Sequence, residues 1–369
     1  MVIQVEYMGF WTKKQGAGNF LVEEKGESMK TNQIVFTEPH KAELLECEVD
    51  EILAPHQALV RSEYSIVSAG TEGAGFTGLI QEMPFVQNPN MYPQNTGYGH
   101  VGEVLEIGSG VTMCKQGDRV LSFSDHASSV KADAVRMALP IPKDVAGEKI
   151  VFARMAGVSI SAVRSSTVQP GDTVLIIGLG LVGNFAAQLF QLAGAEVVAS
   201  ELSALRIEKA KACGINRIVN PNETDLKEYV MDWTGGKGVH IAVEAIGISQ
   251  LIAEAVMLTR SYGETILLGS PRAKAVFDVT PMLLRVHLEA IRLIGSLEWK
   301  WPPHEVNRCR HNIVENYRQI INWIVEDKII VEPLLTHLGS PRDCQEIYTG
   351  LTSRKDEYLS AVFDWNLLN

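Results

Sequence analysis

Residues 174–183 read Val-Leu-Ile-Ile-Gly-Leu-Gly-Leu-Val-Gly, an apolar run that ends in Gly178-x-Gly180-x-x-Gly183. Apolar residues at Val182, Phe185, Ala186, Leu189 and Leu192 follow at helical spacing. A buried strand, a glycine turn and a helix in direct succession are the setting in which this triplet cradles a pyrophosphate. Gly178 permits the tight turn, Gly180 lets the backbone approach the phosphates, and Gly183 lets helix and strand pack closely. The helix opens at Leu181 and Val182 with unpaired N–H groups facing the anion, which adds both to the cofactor-binding candidates.

The next strand, 195–201 (Ala-Glu-Val-Val-Ala-Ser-Glu), places Glu201 23 residues beyond Gly178. A carboxylate there accepts both ribose hydroxyls of adenosine and repels a 2′-phosphate, which selects NAD over NADP. Arg206 softens that discrimination, and an exposed strand-end glutamate without a ligand is the plainer reading. Two later strands end in Val243-Glu-Ala-Ile-Gly247 and Leu267-Leu-Gly-Ser270. Ligands of open α/β sheets bind at such C-terminal ends, so Ile246, Leu268 and Ser270 are candidates to line a nicotinamide, or else core positions without contact.

Outward from this nucleus the chain divides. At 369 residues it exceeds one ordinary core, so two domains are expected. From Met29 to about residue 150, short β-rich runs cut by glycine and proline predict a small, partly closed barrel. From Asp172 onward apolar strands alternate with helical segments, the signature of a parallel sheet covered on both faces. A helix is expected over about 306–326, after which the tail returns to the first domain. The first 28 residues show neither periodicity nor turn logic, and the expected native start is Met29.

The net charge of −11 is spread along the chain, which argues against nucleic acid or an anionic membrane as partner. Cysteines at 47, 114, 213, 309 and 344 are scattered and form no metal-ligand pair, as expected of a cytoplasmic protein. No apolar run is long enough to span a bilayer, and the N-terminus has no signal-peptide pattern.

Taken in order, Ser68-Ala-Gly-Thr-Glu72, Gly97-Tyr-Gly-His-Val-Gly-Glu-Val104, Gly117-Asp-Arg-Val120, the glycine loop and the returning tail resemble the medium-chain dehydrogenase/reductase superfamily, the alcohol dehydrogenase-like proteins. The resemblance implies a GroES-like catalytic β-barrel over 29–155, a Rossmann doubly wound sheet over 156–300, and a return to the catalytic domain over 301–369. It also implies a small-molecule substrate in the cleft between domains and a homodimer or homotetramer.

Zinc-dependent relatives carry Cys-Gly-Thr/Ser-Asp, then Gly-His-Glu, then a third ligand before the Rossmann domain. Here the matching positions hold Ala69, then His100 followed by Val101, then Ala153 by an ungapped count. Alanine donates nothing, so no metal ligand set is expected and zinc is not an expected cofactor. A makeshift site from His100, Glu72 and His126 is the alternative. Structural zinc is not expected, because the four-cysteine lobe that binds it in many relatives is missing.

Without zinc another group must take the hydroxyl proton. Thr71 matches the relay hydroxyl of zinc relatives, His100 offers a free imidazole, and Tyr98 is a further donor; these three are the catalytic candidates. His100 as a structural histidine, Thr71 as a turn hydroxyl, Tyr98 as packing, His126 at the surface and a solvated Glu72 are the plainer readings. The expected function is NAD(H)-dependent hydride transfer between nicotinamide and a sugar, polyol or cyclic alcohol. Two alternatives stay open: a quinone-oxidoreductase-like, NADPH-dependent enone reductase, and a non-catalytic dinucleotide-binding sensor. The stretch 298–305, Glu-Trp-Lys-Trp-Pro-Pro-His-Glu, is either an aromatic wall or a packed surface turn.

Overall fold

The computed structural model describes residues 28–79 and 91–368, so the expected leader, residues 1–28, lies outside the described residues except for Ser28. A six-stranded sheet runs in the order Ile218–Val219, Glu196–Ser200, Thr173–Ile177, Val239–Glu244, Thr259–Leu267, Arg292–Gly295, with every pairing parallel. Strand order therefore reverses beside Thr173–Ile177, the switch point at which ligands of open α/β sheets bind. Its strands are near-continuous apolar runs because helices cover both faces: Val174, Ile176, Val243 and Ile266 are inaccessible to solvent.

The second body is built from antiparallel strands. Gln57–Ile66 pairs with His100–Ile107, Ser129–Asp133 and Ala361–Asp364, so the C-terminal segment closes the sheet begun near the start of the described chain. A separate hairpin, Ser28–Glu38 with Lys41–Asp50, packs against it through Phe36, Phe76, Tyr348 and Phe363. The helix Ala153–Ser165 joins the two bodies and packs against the helix Ile313–Val325. That second helix starts seven residues later than the sequence predicts. Asn312 caps it by accepting from the N–H of Glu315 at 2.8 Å, whereas prolines 302 and 303 hold the preceding segment out of the helix. All five cysteines are free thiols. Among the described residues no helix is long and apolar enough to cross a membrane.

Candidate active site

At the glycine loop the three glycines occupy three different environments. Gly178 has φ +92°, and a Cβ on it would lie 2.3 Å from Ile246 Cγ1. Gly180 caps the helix Leu181–Leu192, and a Cβ on it would meet nothing within 4 Å. On Gly183 a Cβ would fall 1.9 Å from the Gly178 carbonyl oxygen. One glycine makes the turn, one leaves an open cradle at a helix N-terminus, and one permits close packing, which is the division of labour a dinucleotide site requires. Leu181 is buried in the core, so the helix end presents its backbone rather than this side chain to the cradle. Val182 is half-buried, and its carbonyl accepts from Ser159 Oγ at 2.8 Å.

Glu201 is buried at its strand end. Its carboxylate accepts from the N–H groups of Leu179, Leu202 and Ser203 at 2.8, 2.8 and 2.9 Å, with Arg206 Nη1 3.9 Å away. It thus braces the glycine loop from behind. Ser203 Oγ and Arg206 Nε beside it are buried without a hydrogen-bond partner, as polar groups that face a ligand would be. The residues present fit a nicotinamide dinucleotide: an open cradle for the pyrophosphate, and unsatisfied donors beside a carboxylate for the ribose end.

At the later strand ends, Ile246 and Ser270 are exposed, while Leu268 packs into the sheet core and contributes no side chain to a cleft. Glu244, buried at the end of its own strand, accepts from the N–H groups of Ile246 and Gly247 at 2.9 and 2.8 Å and so fixes that loop. Burial pushes its carboxyl above the usual range.

Across from these strand ends lies a cluster of hydroxyls. Thr71 sits in the first turn of the helix Ala69–Phe76, which Ser68 precedes. The Tyr98 hydroxyl donates to Ser68 Oγ, and Thr71 is in hydrogen-bond contact with Tyr98. Burial pushes the Tyr98 phenol up, so it stands protonated. From the other body, Arg272 reaches over from the segment after Thr259–Leu267: Nη2 donates to Thr71 Oγ1 and Nη1 to the Gly70 carbonyl, both at 3.2 Å. Arg272 was not legible as a site residue, although it lies only two positions past Ser270, at a strand end already marked by the switch-point rule.

Beneath Tyr98 a second arginine is buried completely. Arg154 Nε donates to the Tyr98 carbonyl at 2.9 Å, and Nη1 donates to Glu298 Oε2 at 3.0 Å and to the Tyr317 hydroxyl. Its guanidinium lies 4.5 Å from the ring centres of both Tyr98 and Phe123, with Trp299 beyond. Gly99 and Gly157 make the room, since a Cβ on Gly99 would sit 2.6 Å from Arg154 Cγ and one on Gly157 2.1 Å from the Tyr317 ring. From the 298–305 stretch Glu298 and Trp299 pack around this cation, while residues 301–303 are half-buried and His304 and Glu305 exposed.

His100 does not join the cluster. It is inaccessible to solvent, in a strand, with Nε2 2.6 Å from Ser62 Oγ and Nδ1 3.2 Å from Ser122 Oγ. Burial, with His126 adding to it, pushes its imidazole down to about 3. This corrects the expectation of a free acid/base imidazole: at neutral pH His100 is a neutral group linking two neighbouring strands. His126 and Glu72 are also buried, not surface or solvated: Glu72 accepts from His126 Nε2 at 3.0 Å, from the Tyr348 hydroxyl at 2.5 Å and from the Ser68 N–H at 2.7 Å. The donors of a makeshift metal site are therefore engaged with protein partners, and Ala69 and Ala153 donate nothing. Among the described residues no three His, Cys, Asp or Glu groups are placed to hold a metal ion.

Residues 182–308 match the zinc-binding dehydrogenase family. The chain is 26% identical over 330 residues to D-guloside 3-dehydrogenase of Escherichia coli, covering 84% of this chain and 93% of the relative. It is 27% identical over 303 residues to sorbitol dehydrogenase of Halalkalibacterium halodurans, covering 72% of this chain and 82% of that one. Among solved structures, one described as a zinc-binding dehydrogenase of Sinorhizobium meliloti bound to NADP superposes with a TM-score of 0.75 at 18% identity, over 91% of this chain and 99% of that one. That likeness is one of fold.

Proposed function

We propose that this chain, which belongs to the medium-chain dehydrogenase/reductase superfamily and is a nicotinamide-dependent dehydrogenase, interconverts a sugar- or polyol-type alcohol and its carbonyl without a catalytic zinc. One observation carries the reading: Arg272, from the C-terminal edge of the dinucleotide sheet, touches Thr71 in the hydroxyl cluster of the barrel. The strand ends where a nicotinamide binds and the groups able to move a proton therefore meet at one point.

Bound in the glycine cradle, the cofactor supplies the hydride acceptor or donor. Thr71 hydrogen-bonds the substrate oxygen, and Tyr98 with Ser68 passes its proton on; in the reducing direction the protonated Tyr98 supplies one. Arg272 holds Thr71 from the side of the dinucleotide sheet through its 3.2 Å hydrogen bond to Oγ1. Relatives that act on a guloside and on sorbitol support a polyhydroxylated substrate.

Glu201 favours NAD, because a 2′-phosphate would enter beside a carboxylate already fixed by three backbone N–H groups. Ala69, Ala153 and the serine-bonded His100 support the zinc-free reading. A second copy of the chain is the partner that fits the far edge of the sheet. There the strand Arg292–Gly295 has one unpaired side, and the helix Thr280–Glu289 buries none of its residues, leaving Leu283, Leu284 and Leu288 more than half exposed.

The test is cofactor reduction at the nicotinamide absorbance with a panel of sugars and polyols, NAD against NADP, before and after chelator treatment with metal analysis. Turnover with NAD that survives chelation, and falls about 10²- to 10⁴-fold in Thr71→Val and Tyr98→Phe, is the expected result. Turnover abolished by chelation and restored by zinc overturns the zinc-free reading; full activity in both variants overturns the relay.

A further inference from the structure

We infer that Arg272 is a carboxylate anchor, so that the alcohol handled by this site is a hydroxy acid whose carboxylate this guanidinium holds. The inference rests on the dehydrogenase reading above and narrows its substrate class.

Arg164 and Arg285 bond side-chain amide or backbone oxygens, whereas Arg119 and Arg154 each have a carboxylate: Glu63 and Glu298. Arg272 has none among the described residues. Its hydrogen bonds go to a carbonyl and a hydroxyl. Glu72, the acid nearest in sequence to Thr71, is turned inward to His126, Tyr348 and the Ser68 N–H, and leaves the arginine uncompensated.

Burial works against the Arg272 charge. A partly desolvated guanidinium without a counter-ion is unfavourable, and an anion that enters relieves that cost. Both of its hydrogen bonds are 3.2 Å long, against about 2.7–2.9 Å for a charge-assisted pair, so a carboxylate is the better acceptor for the same fork.

The anchor is rigid at its base. A Cβ on Gly269 would lie 2.2 Å from the Gly247 nitrogen, and one on Gly247 2.4 Å from the Ser270 carbonyl oxygen, so two strand ends are wedged together just before Arg272. Reach sets an upper bound. A carboxylate oxygen about 2.8 Å from Nη sits within about 6 Å of Thr71 Oγ1, and a carbinol oxygen about 2.8 Å from that same hydroxyl lies within about 9 Å of the carboxylate. An α- or β-hydroxy carboxylate fits within that bound. The reaction balances as R–CHOH–COO⁻ plus oxidised cofactor giving R–CO–COO⁻, reduced cofactor and one proton, with hydride leaving carbon, the proton leaving oxygen and the carboxylate unchanged.

The test pairs each acid with its neutral counterpart: lactate with propane-1,2-diol, and gluconate and galactonate with glucitol and galactitol. Wild type, Arg272→Gln and Arg272→Lys are compared by steady-state rates and by the melting shift of cofactor-saturated protein. Expected is an acid-over-neutral ratio in kcat/KM that falls about 100-fold in Arg272→Gln, carried mainly by KM, with partial rescue in Arg272→Lys. The melting shift given by the acids should vanish in Arg272→Gln. Equal use of acid and neutral partners by wild type overturns the inference and leaves the dehydrogenase reading standing. So does an Arg272→Gln defect that weakens cofactor binding without changing the ratio, which would assign the guanidinium to a cofactor phosphate. A carboxylate-dependent melting shift without hydride transfer supports the anchor and sinks the dehydrogenase reading, whereas neither shift nor turnover with any member sinks both.

Discussion

His100 makes the acid limb of this protein's stability measurable at one residue. In the unfolded chain a histidine titrates near 6.5; in the fold it is held at about 3 by burial between Ser62 and Ser122. The depressed folded value means that the unfolded state takes up the proton first. The contribution of neutral His100 is therefore complete above pH 6.5 and is lost as the pH falls from there toward 3. At about 1.4 kcal/mol per unit, the loss between pH 7 and pH 5 is about 2 kcal/mol and approaches about 5 kcal/mol near pH 3. For a fold of ordinary stability, about 5–15 kcal/mol, that is a large share.

His100→Gln removes the titration and keeps one of the two side-chain hydrogen bonds. At pH 7 the variant should be less stable by about 1–2 kcal/mol for the lost bond and the exposed serine need. Near pH 5 the wild-type penalty cancels that difference, and below it the variant should be the more stable protein. Urea denaturation at half-unit steps from pH 7.5 to 4.5 reads the two curves. A gap that stays constant across this range would refute the burial argument, whatever its size. Turnover of His100→Gln at pH 7 should stay within about threefold of wild type, because its ring touches no group of the hydroxyl cluster.

The glycine loop separates binding from folding. Gly180→Ala should leave the melting temperature nearly unchanged and weaken cofactor binding at least about tenfold, because its Cβ meets only the open cradle. Gly183→Ala should cost about 1–3 kcal/mol of stability, since its Cβ runs into the Gly178 carbonyl. Melting curves with a fluorescence titration of cofactor check both, and Gly180→Ala binding like wild type would move the pyrophosphate elsewhere. Arg154→Met should destabilise by about 3–5 kcal/mol by stranding Glu298, and Arg154→Met with Glu298→Leu should recover much of it; a single-variant cost under about 1 kcal/mol in urea denaturation would contradict the buried pair. Leu284→Glu with Leu288→Glu should shift the sedimenting species to a monomer, and unchanged sedimentation would remove this face as the contact between copies.

What the sequence disclosed and what it hid follow from the range of the forces involved. The three glycines and Glu201 are legible because a turn, a helix N-terminus and a strand end are local, and their demands fall on residues a few positions apart. The Ala69 and Ala153 substitutions are legible for the same reason, as an alanine has no donor in any fold. Arg154 and Glu298 stand 144 positions apart, and Arg272 and Thr71 stand 201 apart. No periodicity or turn signal encodes such a pair. The count toward a third metal ligand stopped at Ala153, one residue short of the buried arginine. His100 was hardest, because what a histidine does depends on what covers it, and the two covering serines come from other strands.

Polar satisfaction distinguishes a barrel that has lost a metal from one that never relied on one. Groups that once faced an ion, if nothing replaced it, would be buried with unmet hydrogen-bonding capacity, at about 1–3 kcal/mol each. Here the two nitrogens of His100 have serine partners, Glu72 has three donors, and the space beside Ala153 holds Arg154 with Glu298 across from it. Among the described residues the unmet buried atoms include Ser203 Oγ and Arg206 Nε near Glu201, Glu244 Oε2 under the loop at Ile246 and Asn184 Nδ2 in the helix after the glycine loop, with Gln94 Oε1 and Trp301 Nε1 outside the dinucleotide sheet. Four of these six thus lie in the dinucleotide domain, so cofactor binding should raise the stability of that domain.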